Sequence, residues 1–169
     1  SEMCIRDRLE RIQAQPGAID LVLTVDISNL TKMNSTGLFQ KYDSAVIDQN
    51  VPENFRDPNG HWTALTARAR IIYYSKERVA PSDLSTYESL AETKFKDRIC
   101  IRSGYHNYNL ALISSLKISH GNAKTWLNGL KANLAHKPQG NDRGQVKAIY
   151  SGLCDVSIEN TYYMGKMLN

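Results

Sequence analysis

Residues 154–166 are Cys-Asp-Val-Ser-Ile-Glu-Asn-Thr-Tyr-Tyr-Met-Gly-Lys. Residues 155–159 predict a β-strand, and Thr161 is a residue type that caps helices, so a helix is expected to follow at once. A strand that passes directly into a helix is the repeating unit of an α/β fold. This stretch therefore predicts a sheet whose strands alternate with helices along the chain.

The same alternation extends over the rest of the second half. Arg98-Ile-Cys-Ile-Arg102 predicts another strand. Apolar residues at helical spacing predict helices that begin at 108 and 126, and Asn141 or Asp142 can cap a third. Ser85 and Glu88 have the spacing of a capping box, so a short helix is expected through Leu90. Strands and helices in this order predict a parallel sheet with helices on both faces.

The first half contains fewer regular patterns. Asp-Leu-Val-Leu-Thr-Val-Asp at 20–26 is a near-continuous apolar run, which is typical of a buried parallel strand. Residues 67–75 alternate arginines with apolar and aromatic pairs and predict a second strand. A short helix is expected at 9–15, and the many Pro, Asn, Asp and Gly residues of 51–62 predict a long loop.

The composition is that of a soluble globular protein, with 41% hydrophobic and 22% charged residues. No stretch approaches the roughly 18 consecutive apolar residues of a membrane span. The net charge of +4 is modest and both signs are interspersed, which argues against a dedicated nucleic-acid-binding protein. Three cysteines without C-x-x-C spacing predict neither a disulfide scaffold nor a zinc site.

Both ends of the chain predict an incomplete sequence. Residues 1–8, which include Cys4, look like a non-native leader, and no signal-peptide pattern is present. The chain begins on a helical pattern without the opening strand of an α/β layer. It ends at Met167-Leu168-Asn169 within another helical pattern.

Three tyrosines lie where a ligand site is expected. Tyr108 and the adjacent pair Tyr162 and Tyr163 each follow a predicted strand and open a predicted helix, at the sheet edge where α/β proteins bind ligands. A tyrosine ordinarily ionises near pH 10, so several phenolates at neutral pH need a strong cation. Hard, highly charged cations prefer oxygen ligands, and Fe(III) matches phenolate. The alternative is that these tyrosines only pack, which is the commoner role of a Tyr-Tyr pair.

Cysteine and histidine residues offer further candidates. Cys100 and Cys154 each begin a predicted strand, and strands that lie side by side allow a disulfide between them; two buried thiols are the alternative. No two histidines share a helical face, so a solvated role is favoured for all of them. A nucleophile formed by Cys100 and His106 would lack an identifiable activating partner. The histidines are His61, His106, His120 and His136.

Four segments, in order along the chain, resemble the ferric-iron-binding periplasmic proteins, the substrate-binding components of iron(III) ABC transporters. They are residues 20–26, 102–110 (Arg-Ser-Gly-Tyr-His-Asn-Tyr-Asn-Leu), 137–143 (Lys-Pro-Gln-Gly-Asn-Asp-Arg) and 154–166. The resemblance covers the chain from about Leu9. Its most specific parts are the Arg-Ser…Tyr-Asn and Asn-Thr-Tyr-Tyr segments.

The resemblance implies a bilobal type II periplasmic binding protein of α/β class. Residues 1–74 would form part of the N-terminal lobe and 75–169 most of the C-terminal lobe, with a strand at 70–75 crossing the hinge. It assigns Tyr108, Tyr162 and Tyr163 as iron ligands, in preference to Tyr105. Arg68 and Arg102 would neutralise excess phenolate charge, although a solvated surface role is the alternative for each. The first-lobe ligands of the family, a His or Tyr, have no counterpart in this chain.

The function implied is capture without catalysis. Fe(III), with or without a synergistic anion, would bind in the periplasm, the lobes would close, and the monomeric protein would dock on an ABC permease. Three alternatives stay open. They are a protein of the same fold for an anion or polyamine, the effector domain of a transcription regulator, and a chain that binds nothing by itself.

Overall fold

The computed structural model describes residues 10–167, which fall into two compact units that divide between Ala67 and Arg68. The lobe boundary predicted from the sequence lies later, at 74/75, with the strand predicted at 70–75 crossing the hinge. In the structure that strand belongs to the second unit. How the lobes of the intact protein are divided stays a prediction. The predicted leader and the last two residues lie outside the described part.

The first unit contains two α-helices, α1 (Ile27–Asn34) and α2 (Ala45–Asn50). Residues 10–14 are also helical, which agrees with the helix predicted at 9–15. The Ser44 hydroxyl caps α2 by accepting from the Ile47 amide at 3.4 Å. The predicted loop at 51–62 contains one 3₁₀ turn, Glu53–Phe55, and Arg56 forms an isolated antiparallel bridge with Thr63; the rest of it is irregular.

The strand predicted at 20–26 is wrong. These residues form no strand, and Leu21 and Leu23 are 74% and 61% exposed. A parallel strand is held by hydrogen bonds to its neighbours. The sheet and the bridges formed by residues 10–167 do not include this segment, so its apolar composition alone was not sufficient to predict a strand.

The second unit is built on a three-stranded sheet with the order β1-β3-β2. The strands are β1 (Arg70–Tyr74), β2 (Ile99–Cys100) and β3 (Val156–Asn160). All five residues of β3 are buried, as befits the central strand. β2 runs parallel to β3, as predicted, whereas β1 runs antiparallel and places Arg70 opposite Asn160. The sheet is therefore mixed.

Four helices accompany this sheet, and their positions agree with the sequence predictions. α3 ends at Gly121, whose positive φ of 65° suits glycine. Asn141 caps α5, since its side-chain oxygen accepts from the Gly144 amide at 3.0 Å. The helices are α3 (Asn107–His120), α4 (Ala123–Ala132), α5 (Asp142–Tyr150) and α6 (Tyr162–Met167).

The helix predicted from Ser85 to Leu90 is only a 3₁₀ turn, Glu88–Ala91. The Asn133 side-chain amide donates to the carbonyl oxygens of Leu90 and Glu92, at 2.9 and 2.7 Å. These acceptors are thereby engaged by a distant residue, and the backbone at Glu92 is extended. A tertiary contact thus overrides the local signal for an α-helix.

Helices cover both faces of the sheet, as predicted. One face packs a cluster centred on Phe95, Val156 and Ile158 against α3 and α4. The other face packs Tyr73 and the two cysteines against α5. β3 is packed on both of its faces, and its carboxyl end leads directly into α6, which begins with Tyr162 and Tyr163.

Replacing Gly129 on α4 by alanine should destabilise the second unit by about 1–3 kcal/mol, the usual cost of overpacking. A Cβ at Gly129 would lie 2.6 Å from the Cβ of Ala91, so α4 would have to move off the 3₁₀ turn. Urea denaturation followed by tryptophan fluorescence measures the change.

Gly144→Ala is the matched control, because a Cβ there meets only Asn141 Oδ1, at an ordinary 3.7 Å. This variant should gain about 0.5–1 kcal/mol from the lower chain entropy of alanine. Equal stability of the two variants would contradict the tight approach at Gly129.

Candidate metal centre

The structure brings the three predicted tyrosines together in the second unit. The hydroxyl oxygens of Tyr108 and Tyr162 lie 3.5 Å apart, and the rings of Tyr162 and Tyr163 lie 4.4 Å apart between centroids. All three side chains are half-buried. Tyr108 lies in the first turn of α3, and the other two begin α6. Two helix starts thus bring their phenols to one place.

The two arginines expected beside the site, Arg68 and Arg102, both contact the Tyr108 side chain. Arg68 Nη1 donates to the Tyr108 hydroxyl at 2.9 Å, and its guanidinium carbon lies 5.0 Å from the ring centroid. The Arg102 guanidinium lies 5.3 Å from the same centroid. Both distances are within the range of a cation–π interaction.

A third arginine, Arg70, was not predicted as a site residue. Its guanidinium lies 5.7 Å from the Tyr108 centroid. In the sequence, Arg70 is only one of the arginines that alternate with apolar residues in the strand predicted at 67–75. The antiparallel pairing of β1 places Arg70 opposite Asn160, at the end of β3 that leads to Tyr162. A single sequence does not show that register.

Asp142 lies beneath these arginines and is completely buried. Its Oδ2 accepts from Arg70 Nη1 at 2.7 Å, and its Oδ1 accepts from Arg102 Nη1 at 2.8 Å. In the sequence, Asp142 is only one of two candidate caps for this helix. In the structure Asn141 caps α5, and Asp142 is the shared anion of a buried ion-pair cluster.

Hydrogen bonds connect this cluster to the two segments that carry Tyr108 and Tyr162. Arg70 Nη2 donates to Asn109 Oδ1 at 2.8 Å, and Asn109 Nδ2 donates to the Arg102 carbonyl at 3.1 Å. Arg70 Nη1 also donates to Asn160 Oδ1 at 3.2 Å, and Asn160 Nδ2 donates to the Tyr162 hydroxyl at 3.5 Å. Neither asparagine was singled out in the sequence, because asparagine has too many ordinary roles.

The surroundings shift the pKa values of Tyr162 and Tyr163 in opposite directions. Burial favours the neutral form of Tyr162, but hydrogen bonds from Tyr108, Tyr163 and other neighbours outweigh it and lower the pKa to about 8. The pKa of Tyr163 is raised instead, by burial and by its neighbour Tyr162. One phenolate forms readily here, and a second beside it needs a strong cation.

A second buried carboxyl group, that of Glu159 on β3, lies near the cluster of Asp142, Arg70 and Arg102. The pKa of Glu159 is raised to about 7, mainly by burial. A hydrogen bond from Ser157 lowers this pKa, whereas the negative charge of Asp142 raises it further. Arg70 and Arg102 partly offset this rise in pKa. Glu159 is fully buried and lies among the same charges that surround Tyr108.

The histidines do not converge on a site within the described residues, where no group of three or more His, Cys, Asp or Glu is arranged to hold a metal. His61 contacts Asp57 at 2.8 Å, and His120 contacts Glu88 at 3.2 Å. His106 caps α3 by accepting from the Tyr108 amide at 3.2 Å. Tyr105, the less favoured tyrosine, is 88% exposed.

Cys100 and Cys154 form a disulfide, with Cα atoms 5.8 Å apart. Both residues are buried. The bond joins β2 to the segment that enters β3. The end of the strand that leads to Arg102 is therefore covalently linked to the chain just before the strand that leads to Tyr162.

The chemical capacity of the site follows from these contacts. Three phenols can supply three negatively charged oxygen atoms, and three guanidinium groups lie around one of them. Phenolate oxygens are hard ligands that suit a small, highly charged cation. The three hydroxyl oxygens are therefore of the type that can serve as ligands of such a cation.

This chain belongs to the family of bacterial extracellular solute-binding proteins, whose pattern matches residues 17–163. Its fold is therefore the α/β fold of the bilobal type II periplasmic binding proteins, as the sequence predicted.

Individual relatives are named for iron. The chain is 45% identical over 165 residues to iron uptake protein A1 of Synechocystis, a match that covers 95% of this chain and 46% of that protein. The structure of apo FutA2 from Synechocystis PCC6803 matches with a TM-score of 0.91 and 40% identity, over 97% of this chain and 53% of the other. A Trichodesmium protein (IdiA, FutA) in complex with iron and citrate matches with a TM-score of 0.90 and 38% identity, over 96% and 52%. The chain spans about half the length of these relatives.

The names of these relatives refer to iron uptake and to a complex with iron. Within residues 10–167, no helix has the length and apolar character needed to cross a bilayer.

Tyr162 should be half-ionised near pH 8 in the metal-free chain, and Tyr108→Phe should raise this pKa. The substitution removes a hydroxyl that hydrogen-bonds to the Tyr162 oxygen and stabilises its phenolate. A pH titration of ¹³Cζ-labelled tyrosine by NMR measures the pKa. Tyr150→Phe, at a side chain 92% exposed, is the control that should leave it unchanged. An unaltered Tyr162 pKa in Tyr108→Phe would contradict the phenol–phenol contact.

Proposed function

We propose that this protein captures ferric iron in the periplasm and delivers it to an ABC permease for iron uptake. The observation that carries the proposal is the convergence of three tyrosines, with the Tyr108 and Tyr162 hydroxyls 3.5 Å apart and Arg68 bonded to the first. The iron-related names of the relatives support the same cargo.

Tyr108, Tyr162 and Tyr163 are the proposed ligands, each as a phenolate. Fe(III) would replace three phenolic protons, so the charge of the site stays constant when iron enters. The lowered pKa of Tyr162 makes it the first ligand to ionise. Tyr163 would follow once the metal charge outweighs the burial and the neighbouring phenolate that now hold its pKa high.

The arginines have a defined part in this scheme. Arg68 already donates to the Tyr108 oxygen, and that bond becomes charge-assisted when Tyr108 ionises. Arg102 places a second cation beside the same ring. Together they would offset negative charge that further anionic ligands of the metal bring to the site.

Three phenolates leave room for further ligands around the metal. We propose that these come from the other lobe of the intact protein or from a synergistic anion. Citrate is the anion named with iron in the Trichodesmium relative. Closure of the lobes around the metal and docking of a monomer on the permease would complete the transport cycle.

Ferric citrate added to this chain should produce a visible phenolate-to-iron charge-transfer band. The band should disappear in the Tyr162→Phe/Tyr163→Phe double variant and weaken in Tyr108→Phe, because each substitution removes ligand oxygens. Absorption spectroscopy with the bound iron quantified gives the intensity per metal.

Tyr105→Phe is the matched control, since Tyr105 lies in the turn just before α3, the helix that carries Tyr108, but is 88% exposed. It should leave the band at full intensity. A band that survives in the double variant, or iron bound without any band, would contradict tyrosinate ligation and favour a protein of this fold for another solute.

A further inference from the structure

One carboxylate connects the parts of the second unit that carry the tyrosines. Asp142 is completely buried and shares its two oxygens between Arg70 and Arg102, at 2.7 and 2.8 Å. The side chains of both arginines are about nine-tenths buried, with relative exposures of 10% and 11%. Two guanidinium groups buried this close together repel each other strongly unless an anion lies between them.

Both arginines face Tyr108. Their guanidinium carbons lie 5.7 and 5.3 Å from the ring centroid of Tyr108. Arg70 also holds Asn109, the residue after Tyr108, through a 2.8 Å hydrogen bond. The position of the α3 start therefore depends on where Asp142 places the two guanidinium groups.

The same carboxylate reaches the Tyr162 side of the site. The backbone N–H of Asn160 donates to Asp142 Oδ2 at 3.4 Å, and the side-chain Nδ2 of Asn160 donates to the Tyr162 hydroxyl at 3.5 Å. Arg70 bonds the Asn160 side-chain oxygen at 3.2 Å. Asp142 thus connects to both tyrosines through a single intervening residue on each side, Arg70 or Arg102 toward Tyr108 and Asn160 toward Tyr162.

We propose that Asp142 is a positioning residue of the iron site, which fixes Tyr108 and Tyr162 at ligand distance from one another without touching the metal. This inference rests on the proposed function. The Asp142 carboxylate is occupied by its arginine partners, so its contribution passes through them and through Asn160.

Charge alone would give Asp142 little influence on iron affinity. When Fe(III) enters, three phenolic O–H bonds break, three protons leave and three iron–oxygen bonds form, so the net charge of the site does not change. A fixed charge nearby then interacts almost equally with the free and the bound state. A large change in affinity on substitution of Asp142 would therefore report the positions of the ligands.

The chain contains a matched control for this arrangement. Asp155 also bridges two arginines, with its oxygens 2.5 Å from Arg78 Nε and 2.6 Å from Arg98 Nε. It lies just before β3, whereas Tyr162 lies just after it. Asp155→Asn removes a carboxylate from a comparable bridge away from the tyrosines.

The experiment compares wild type, Asp142→Asn and Asp155→Asn by ferric citrate titration of the charge-transfer band. Asp142→Asn should weaken Fe(III) binding about 10–100-fold, the usual effect of removing a partner that orients metal ligands. Asp155→Asn should bind as wild type does. Asp142→Glu keeps the charge but displaces it, so it should weaken binding as well. Wild-type affinity in both Asp142 variants would overturn the proposal.

A second readout needs no iron and separates this inference from the proposed function. In the metal-free proteins at constant pH, the ¹³C ring signals of Tyr108 and Tyr162 should shift in Asp142→Asn and stay in place in Asp155→Asn. Unchanged signals in Asp142→Asn would overturn the positioning role whatever the wild type binds. Shifted signals with no wild-type band would support positioning while contradicting iron capture.

Arg102→Lys provides a further variant if Asp142→Asn does not fold. It keeps the cation beside Asp142 but loses the planar fork of the guanidinium. It should shift the Tyr108 ring signal and weaken iron binding in the same direction. An Arg102→Lys protein with wild-type signals and affinity would contradict the proposal.

Discussion

The buried carboxylate of Asp142 lies between two guanidinium groups, and the geometry of the tyrosine site depends on that contact. Removing charges from water is costly, and an apolar replacement for a buried ion pair is often equally stable. The cluster is therefore poorly explained as a contribution to stability. Its hydrogen bonds to Asn109 and Asn160 connect it to the segments that carry Tyr108 and Tyr162, and this connection explains it better.

The tyrosines in turn form a site that is partly prepared for a cation. Arg68 donates a hydrogen bond to the Tyr108 oxygen, and the Tyr108 and Tyr162 hydroxyls share another, so less reorganisation would be needed when a metal arrives. Tyr162 and Tyr163 respond to the same surroundings in opposite ways, because ionisation of one opposes ionisation of the other. Such a pair ionises fully only when a high positive charge is present, which matches Fe(III) better than a neutral solute.

The sequence predicted those features that depend on local pattern. Strand-to-helix passages located the edge where Tyr108 and Tyr162 meet, and Gly121 and Asn141 marked helix ends correctly. Features set by distant contacts were missed. Arg70 gains its role from the antiparallel register with β3, and Asn133 converts an expected helix into a 3₁₀ turn. Residues 20–26 have the composition of a buried strand but are not part of the sheet or the bridges formed by the described residues.

The proposed binding of Fe(III) by tyrosine oxygens of the second unit can be observed in a crystal. Anomalous diffraction at the iron absorption edge, from crystals of the protein soaked in ferric citrate, locates the metal. We expect one strong peak at bonding distance from the Tyr108, Tyr162 and Tyr163 oxygens. A peak elsewhere, or iron present in the crystals without density beside these three oxygens, would contradict it.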